Sequence, residues 1–266
     1  MKQATLSDGS KVYCINRKEA QMLQEHIDGY FDDYINIKEN DTIIDIGANI
    51  GIFGLELSKK YNSIEIFAFE PINNIYDVLK KNSISSQNKQ FKTYNYGISD
   101  KNGEEQFQYF PNSPALSSSK NEIVQSKEQL LLALKGSLHH APKKWWWANL
   151  IPKFIYPYII NNLIKNPIKT ICSIKTLSHV IKENEISKID LLKIDCEGNE
   201  LNVINGITSK DWDIIKQIVM EVNDIDGRFE YINKKLINLG YSVKTTKDPS
   251  LEGTNLINLF AKKIIK

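Results

Sequence analysis

The run Thr42-Ile43-Ile44-Asp45-Ile46 reads as a strand buried on both faces, and it passes directly into the turn Gly47-Ala48-Asn49-Ile50-Gly51 and a short helix that ends in Lys59 and Lys60. This unit constrains the fold more than any other feature of the chain. A strand covered on both faces needs helices above and below its sheet, and strands in one direction need crossover helices to join them. The rest of the chain supplies them. Strands are predicted over Ile64–Phe69, Phe91–Tyr96, Ile189–Ile194 and Ile215–Val222, and helices over Asn73–Asn82, Asn199–Gly206 and Phe229–Leu239, the last stopped by Gly240. Tyr241–Thr245 and Leu256–Lys262 read as two closing strands with no helix between them, which implies an antiparallel edge. Glu105–Phe110 alternates as an added antiparallel strand. The expected fold is α/β, a mainly parallel sheet with helices on both faces, in one domain.

Composition fits that expectation. Of 266 residues, 41% are hydrophobic and 25% charged, which is ordinary for a globular chain and excludes collagen-like or disordered classes. A net charge of +2 is too small to argue for a nucleic-acid partner. Cys14, Cys172 and Cys196 show neither a disulfide framework nor zinc-ligand spacing, and they fit a reducing cytoplasm. No signal-peptide apolar core or transmembrane-length run is seen.

Residues 1–40 read as a strand and helix cap ahead of the sheet. One stretch breaks the alternation. Residues 111–170 hold eight lysines but only Glu122 and Glu128 as acids, with Trp145-Trp146-Trp147, His139-His140 and an apolar run near Phe154–Ile164. Ile123, Leu130, Leu131 and Leu134 have helical spacing, with Gly136 as the expected C-cap. This is a largely helical insertion. It reads as a substrate-recognition lid, a decoration or homodimer contact, or a membrane-surface segment broken by Pro152 and Pro157.

The turn after the first core strand carries chemistry. A dinucleotide fold wants G-x-G-x-x-G to seat a pyrophosphate on the helix N-terminus, whereas this chain has G-x-N-x-G led by Asp45. An aspartate repels a diphosphate but suits the ammonium of a methionine-like tail, which argues against NAD and for S-adenosylmethionine. Glu70, 25 residues after Asp45 in Phe67-Ala68-Phe69-Glu70-Pro71, can accept hydrogen bonds from both ribose hydroxyls. In Ile189-Asp190-Leu191-Leu192-Lys193-Ile194-Asp195-Cys196-Glu197-Gly198, three charges crowd a strand's end. Such charges are costly unless paired or facing a site, and an internal salt bridge of Lys193 is the plain alternative.

With these segments and Tyr96-Gly97-Ile98-Ser99-Asp100, the chain resembles the FkbM family of methyltransferases over about Leu6–Asp100 and Ile174–Lys263. The resemblance implies the seven-stranded, Rossmann-like class I methyltransferase fold and methyl transfer from S-adenosylmethionine, most often to oxygen on a sugar, polyketide or other natural product. It implies cofactor contacts from Gly47, Asn49 and Gly51, from Glu70 at the ribose, and from Gly97, Ile98 and Ser99 near the adenine; Asp45, Ala48, Pro71 and Asp195 complete the expected cofactor set. Ser178-His179 stands where relatives carry an aspartate, so that residue's role is in doubt here.

Methyl transfer needs alignment of the nucleophile, exclusion of water and a proton acceptor. Asp195 and Glu197 are the expected acceptors at the fourth strand's end, with His140, His139 and His179 as competitors. A divalent metal on Asp195, Glu197, Glu221 and Asn223 is a less favoured alternative. A peptide or carboxylate acceptor, or a silent cofactor-binding regulator, are further readings.

Overall fold

The computed structural model describes residues 1–31, 33–120, 126–140 and 150–264. Two sheets and a hairpin carry the chain. The hairpin β1 (Lys2–Thr5) and β2 (Lys11–Cys14) leads to helix α1 (Arg17–Asp28), which Asn16 caps by accepting from the Lys18 N–H. The main sheet then follows: β3 (Thr42–Ile46), α2 (Ile52–Lys60), β4 (Glu65–Phe69), α3 (Asn73–Ser85) and β5 (Phe91–Tyr94). Its second half is built by β9 (Leu191–Ile194), α7 (Glu200–Asn205), β10 (Gln217–Asn223), α8 (Arg228–Asn238), β11 (Tyr241–Thr246) and β12 (Leu256–Lys263). The order is β11-β12-β10-β9-β3-β4-β5, with only β12 antiparallel to its neighbours. This is the expected Rossmann-like, mainly parallel seven-stranded sheet with an antiparallel edge.

Period two along β3 divides the core. Ile43 faces one apolar layer with α1, α2 and α3, whereas Ile44 and Ile46 face the other, with α7, α8 and α6 (Leu177–Glu183). Asp45 points with Ile43, towards the α1 side. In register beside it, Lys193 of β9 shares that face. Two residues further along each strand, Gly47 and Asp195 continue it, and Glu221 follows on β10 in step with Val219.

A second sheet was only half foreseen. β6 (Gly97–Ile98), β8 (Ile168–Lys175) and β7 (Gly103–Tyr109) form a three-stranded layer in the order β6-β8-β7. β8 begins inside the stretch read above as insertion, so residues 168–170 belong to the sheet. Its inward residues Cys172 and Ile174 are buried, but Ile168 and Ile171 are exposed, which blurs the strand signal.

Between β7 and β8 lie a 3-10 turn (Pro114–Leu116), α4 (Lys127–His139), another 3-10 turn (Lys153–Ile155) and α5 (Tyr156–Leu163). Gly136 is not the C-cap of α4, which runs on to His139. The glycine instead serves packing: a Cβ there would stand 1.8 Å from the Ser250 carbonyl oxygen. Helix α4 lies against the 3-10 turn Pro249–Leu251, and no side chain fits between them. Glu122, Ile123 and Trp145–Trp147 fall outside the described residues. No helix among the described residues is long and apolar enough to cross a membrane.

Candidate active site at the strand switch point

Strand order reverses between β3 and β9: the chain runs outward through β4 and β5, then returns to lay β9 on β3's other side. Open α/β sheets bind ligands at such a crevice, outside the carboxyl ends of the strands. Here the two sides are in contact. Gly47 has φ +73°, and a Cβ on it would lie 1.7 Å from the Asp195 carbonyl oxygen. A cofactor contact is what the resemblance implies for this glycine; what the structure shows is that it lets the two strand ends meet. Asn49 (φ +50°) and Gly51 (φ +84°) complete a turn of left-handed residues. The Phe69 carbonyl accepts from the N–H groups of both Gly47 and Ala48, which ties the turn to the end of β4.

Under the turn lies a buried ion pair. Lys193 Nζ is 3.0 Å from Asp45 Oδ1, 3.6 Å from Asp195 Oδ2, and donates to the Gly47 carbonyl at 3.3 Å. Asp45 is fully buried and Lys193 is 3% exposed, so each ion has lost its water and needs the other. Burial pulls Lys193 down, yet Asp45 and Asp195 more than offset it and hold the ammonium above its usual range. Burial likewise raises Asp45, with Lys193 opposing. The plain alternative for Lys193 is thus what the structure shows, and its main partner comes from the neighbouring strand. Asp45 Oδ2 has no hydrogen-bond partner among the described residues.

Glu70 sits at the end of β4, buried beside the turn. Its Oε2 accepts from the Asn49 N–H at 3.2 Å and its Oε1 from the Ile72 N–H at 3.0 Å. Burial pushes its carboxyl up to about 7. Asn95 Nδ2 donates to the carbonyls of Glu70 and Pro71, fixing the turn that follows. Gly97 and Ile98 lie buried in β6, and the buried Ser99 donates its N–H to the Lys175 carbonyl. Tyr96 was not singled out from sequence, yet its hydroxyl is buried and without a hydrogen-bond partner among the described residues, next to these positions.

On the other side of the switch, β9 ends in Asp195 and Glu197, both half-buried. Burial raises Glu197 well above the usual carboxylate range, helped by the charges of Asp195, Glu221 and Glu200. Glu221 is pushed up to about 7 by burial, and Glu200 to about 6. Glu200 has Arg228 3.8 Å away. Ser118, at the start of the insertion, donates to the Glu197 carbonyl at 2.6 Å, and Ser119 pairs with Asn199. Gln129 of α4 accepts from the Asn255 N–H. The insertion is thereby fastened to the loops that follow β9 and β11.

His140 and His139 are exposed at the end of α4, ring against ring at 4.7 Å. His179 is exposed and meets Asn102. Among the described residues, no hydrogen bond or ion pair joins these three to Asp195 or Glu197. Ser178 accepts from the Thr208 N–H and so holds the loop after α7. No three His, Cys, Asp or Glu side chains among the described residues come together as metal ligands, so Asp195, Glu197 and Glu221 do not form the metal set weighed above. The histidine in contact with the site is one that sequence reasoning passed over. His26 of α1 lies 3.3 Å from Glu221 and 3.0 Å from the Tyr30 hydroxyl, which donates to Asp195.

The raised carboxyls give a pH dependence whose sign is fixed. Between an unfolded value near 4.5 and folded values of about 6 to 7, Glu70, Glu200 and Glu221 bind more protons folded than unfolded. Stability then falls as pH rises through that window. The free protein is expected to be more stable by about 4 kcal/mol at pH 5.5 than at pH 8, about 2 kcal/mol each for Glu70 and Glu221 with a smaller share for Glu200. Urea unfolding at the two values checks this, and a higher midpoint at pH 8 would contradict it.

Residues 45–243 match the family model described as the methyltransferase FkbM domain. The chain is 29% identical to the 31-O-demethyl-FK506 methyltransferase FkbM of Streptomyces tacrolimicus, over 97% of this chain and 95% of that one. It is 28% identical to the methyltransferase sdnD of Sordaria araneosa, over 89% and 88%. At 25% identity it aligns with the hexuronic acid methyltransferase AglP of Haloferax volcanii, over 65% and 52%. Among solved structures, a precorrin-6y C5,15-methyltransferase from Geobacter metallireducens matches at 12% identity and a TM-score of 0.45, over 91% of this chain and 88% of that one. With three quarters of its length inside the family model, the chain belongs to the FkbM family of methyltransferases.

Proposed function

We propose that this protein transfers the methyl group of S-adenosylmethionine to a hydroxyl of a small-molecule, natural-product or glycan acceptor. The observation that carries the reading is the juxtaposition of the left-handed turn Gly47–Gly51 with the buried carboxylate of Glu70 at the ends of adjacent parallel strands. Two relatives' names support the acceptor class, one specifying 31-O-demethyl-FK506 and one a hexuronic acid.

The residues present fit the cofactor. Asp45, Asp195, Glu197, Glu200 and Glu221 outnumber Lys193 and Arg228, so a ligand with an ammonium and a sulfonium lowers the cost of burying these acids. Gly47, Ala48, Asn49 and Gly51 would face the tail. Glu70 and Pro71 would hold the ribose, Gly97, Ile98 and Ser99 the adenine, and Asp45 and Asp195 the ammonium. When bound, S-adenosylmethionine supplies a methyl carbon already activated by its sulfonium. The protein's remaining tasks are to orient the acceptor, exclude water and take a proton.

Glu197 is the group we place at that proton, beside Asp195 in the segment that follows β9. The environment that raises Glu197 makes its carboxylate a stronger base once ionised. His140 is the base we assign to the insertion, should the acceptor lie under α4. The insertion, pinned through Ser118 and Ser119 to the Glu197–Asn199 loop, forms the acceptor wall. The site works in this reading without a metal, as a chain acting on a diffusible acceptor in the cytoplasm.

Titration calorimetry with S-adenosylhomocysteine tests the cofactor. Wild type is expected to bind, and Glu70→Gln to bind about tenfold more weakly for one degraded charge-assisted hydrogen bond. An unaltered affinity in Glu70→Gln would sink the assignment. Labelled methyl transfer to a panel of hydroxyl compounds, with amines and carboxylates alongside, separates oxygen from the other acceptors.

A further inference from the structure

Helix α1 ends at the site. Gly29 and Tyr30 extend its last turn, with their N–H groups on the carbonyls of His26 and Ile27. His26 and Tyr30 are four residues apart and project the same way, onto the sheet face that carries Asp45, Lys193, Asp195 and Glu221. Tyr30 is 1% exposed, and its ring meets Phe53 of α2 edge-on at 6.4 Å and lies over Lys193 Nζ at 5.5 Å.

The hydrogen bonds among these groups have one allowed direction. A phenol carries a single hydrogen, and Tyr30 gives it to Asp195 Oδ2 at 3.0 Å. His26 Nε2, 3.0 Å from the same phenol oxygen, therefore donates to it. Its hydrogen sits on Nε2, and Glu221 Oε2 lies 3.3 Å from that nitrogen as an ionic neighbour, with no hydrogen bond of its own among the described residues. The chain then reads Glu221, His26, Tyr30, Asp195, with Lys193 3.6 Å beyond and Asp45 3.0 Å beyond that. It spans from β10 through α1 to β9 and β3, and joins residues 165 positions apart in sequence.

We infer that Tyr30 and His26 are positioning residues of the site: as a one-directional relay from His26 through Tyr30, with Glu221 as the ionic neighbour of His26, they fix the Asp195 carboxylate towards the cofactor's ammonium. The inference rests on the methyltransferase reading, and it adds α1 to the working parts of the site. Asp195 is otherwise held loosely, by a lysine at 3.6 Å that is already committed to Asp45. Removing the Tyr30 hydroxyl leaves the ring, and so the packing on Phe53, in place.

A double-mutant cycle in S-adenosylhomocysteine affinity, read by titration calorimetry on the full chain, tests this. Tyr30→Phe is expected to weaken binding about fivefold, and Asp195→Asn about tenfold. The double variant is expected to bind within twofold of Asp195→Asn, because Tyr30 acts only through Asp195. His26→Gln is expected to cost about threefold, and nothing further in the Asp195→Asn background. A purely structural role would multiply the losses instead, and multiplied losses, or Tyr30→Phe at wild-type affinity, would overturn the relay. Should Tyr30→Phe not fold, the His26→Gln arm decides alone. Wild type without measurable affinity would remove the methyltransferase reading and the relay with it, whereas wild-type binding with multiplied losses removes the relay only.

Discussion

Lys193→Met is expected to destabilise the protein by about 3–5 kcal/mol, as loss of one partner from a buried ion pair does. The methionine fills nearly the same space and keeps the contacts with Tyr30 and Phe53, so the loss isolates the charge. Asp45, fully buried, would be left without its ion-pair partner, and Asp195 would lose its nearby cation. Asp45 would either ionise without compensation or take up a proton, and both cost free energy. Adding Asp45→Asn removes the stranded charge, so the double variant is expected to regain at least half of the loss. Urea unfolding monitored by circular dichroism gives both values. Lys193→Met within about 1 kcal/mol of wild type would mean that water or a rearranged side chain reaches Asp45 and that the pair is not sealed.

Gly47→Ala is the second large effect. Alanine at φ +73° costs about 1–2 kcal/mol in backbone strain, and its methyl would overlap the Asp195 carbonyl, adding about 1–3 kcal/mol of overpacking. The obstructing atoms are backbone, so no rotamer change relieves them. The turn and the Asp195 segment must separate, and S-adenosylhomocysteine affinity is expected to fall by more than tenfold together with stability. Gly9→Ala is the control, since Gly9 has φ +84° with open space around its Cβ position. It should show the strain without the overlap, near 1 kcal/mol, and full affinity. Equal losses at the two glycines would show that the contact across the switch point contributes nothing.

Where sequence was informative, the reason was local. The buried β3, the turn and the acid closing β4 lie within thirty residues, and each is readable from period and residue type. The charges of Lys193 and Asp195 were visible, but not which acid Lys193 meets, because that depends on the register of β3 beside β9. β8 was partly hidden because the outward Ile171 imitates a core residue and spoils the alternation, while Ile168, in phase with Cys172 and Ile174, is exposed at the strand's start. Gly136 was misjudged for the opposite reason: a glycine near the end of an apolar helix looks like a stop, and only the three-dimensional approach of Ser250 shows that it marks a helix crossing a loop. His26 and Tyr30 carried a faint signal, an i, i+4 pair of polar aromatics at a helix end. Their partners on β9 and β10 lie far along the chain, beyond any local pattern.

The strand pair β7 and β8 has a consequence for how such a protein can change. Tyr109 and Ile168 stand opposite each other in the ladder, so the chain leaves it after 109 and rejoins it at 168, and among the described residues between them Ser118 bridges back to Gln108. The ladder works as a socket. Doubling the length of a flexible loop held at such closed ends costs only about 0.6 kcal/mol in closure entropy. The plug in that socket can therefore lengthen, shorten or be exchanged at little thermodynamic expense, with its fit to the rims after β9 and β11 as the main constraint. The glycine turn and Glu70 belong to β3 and β4 of the other sheet, outside the segment that changes. On the proposed function, acceptor choice can drift in such an architecture while the cofactor half stays fixed.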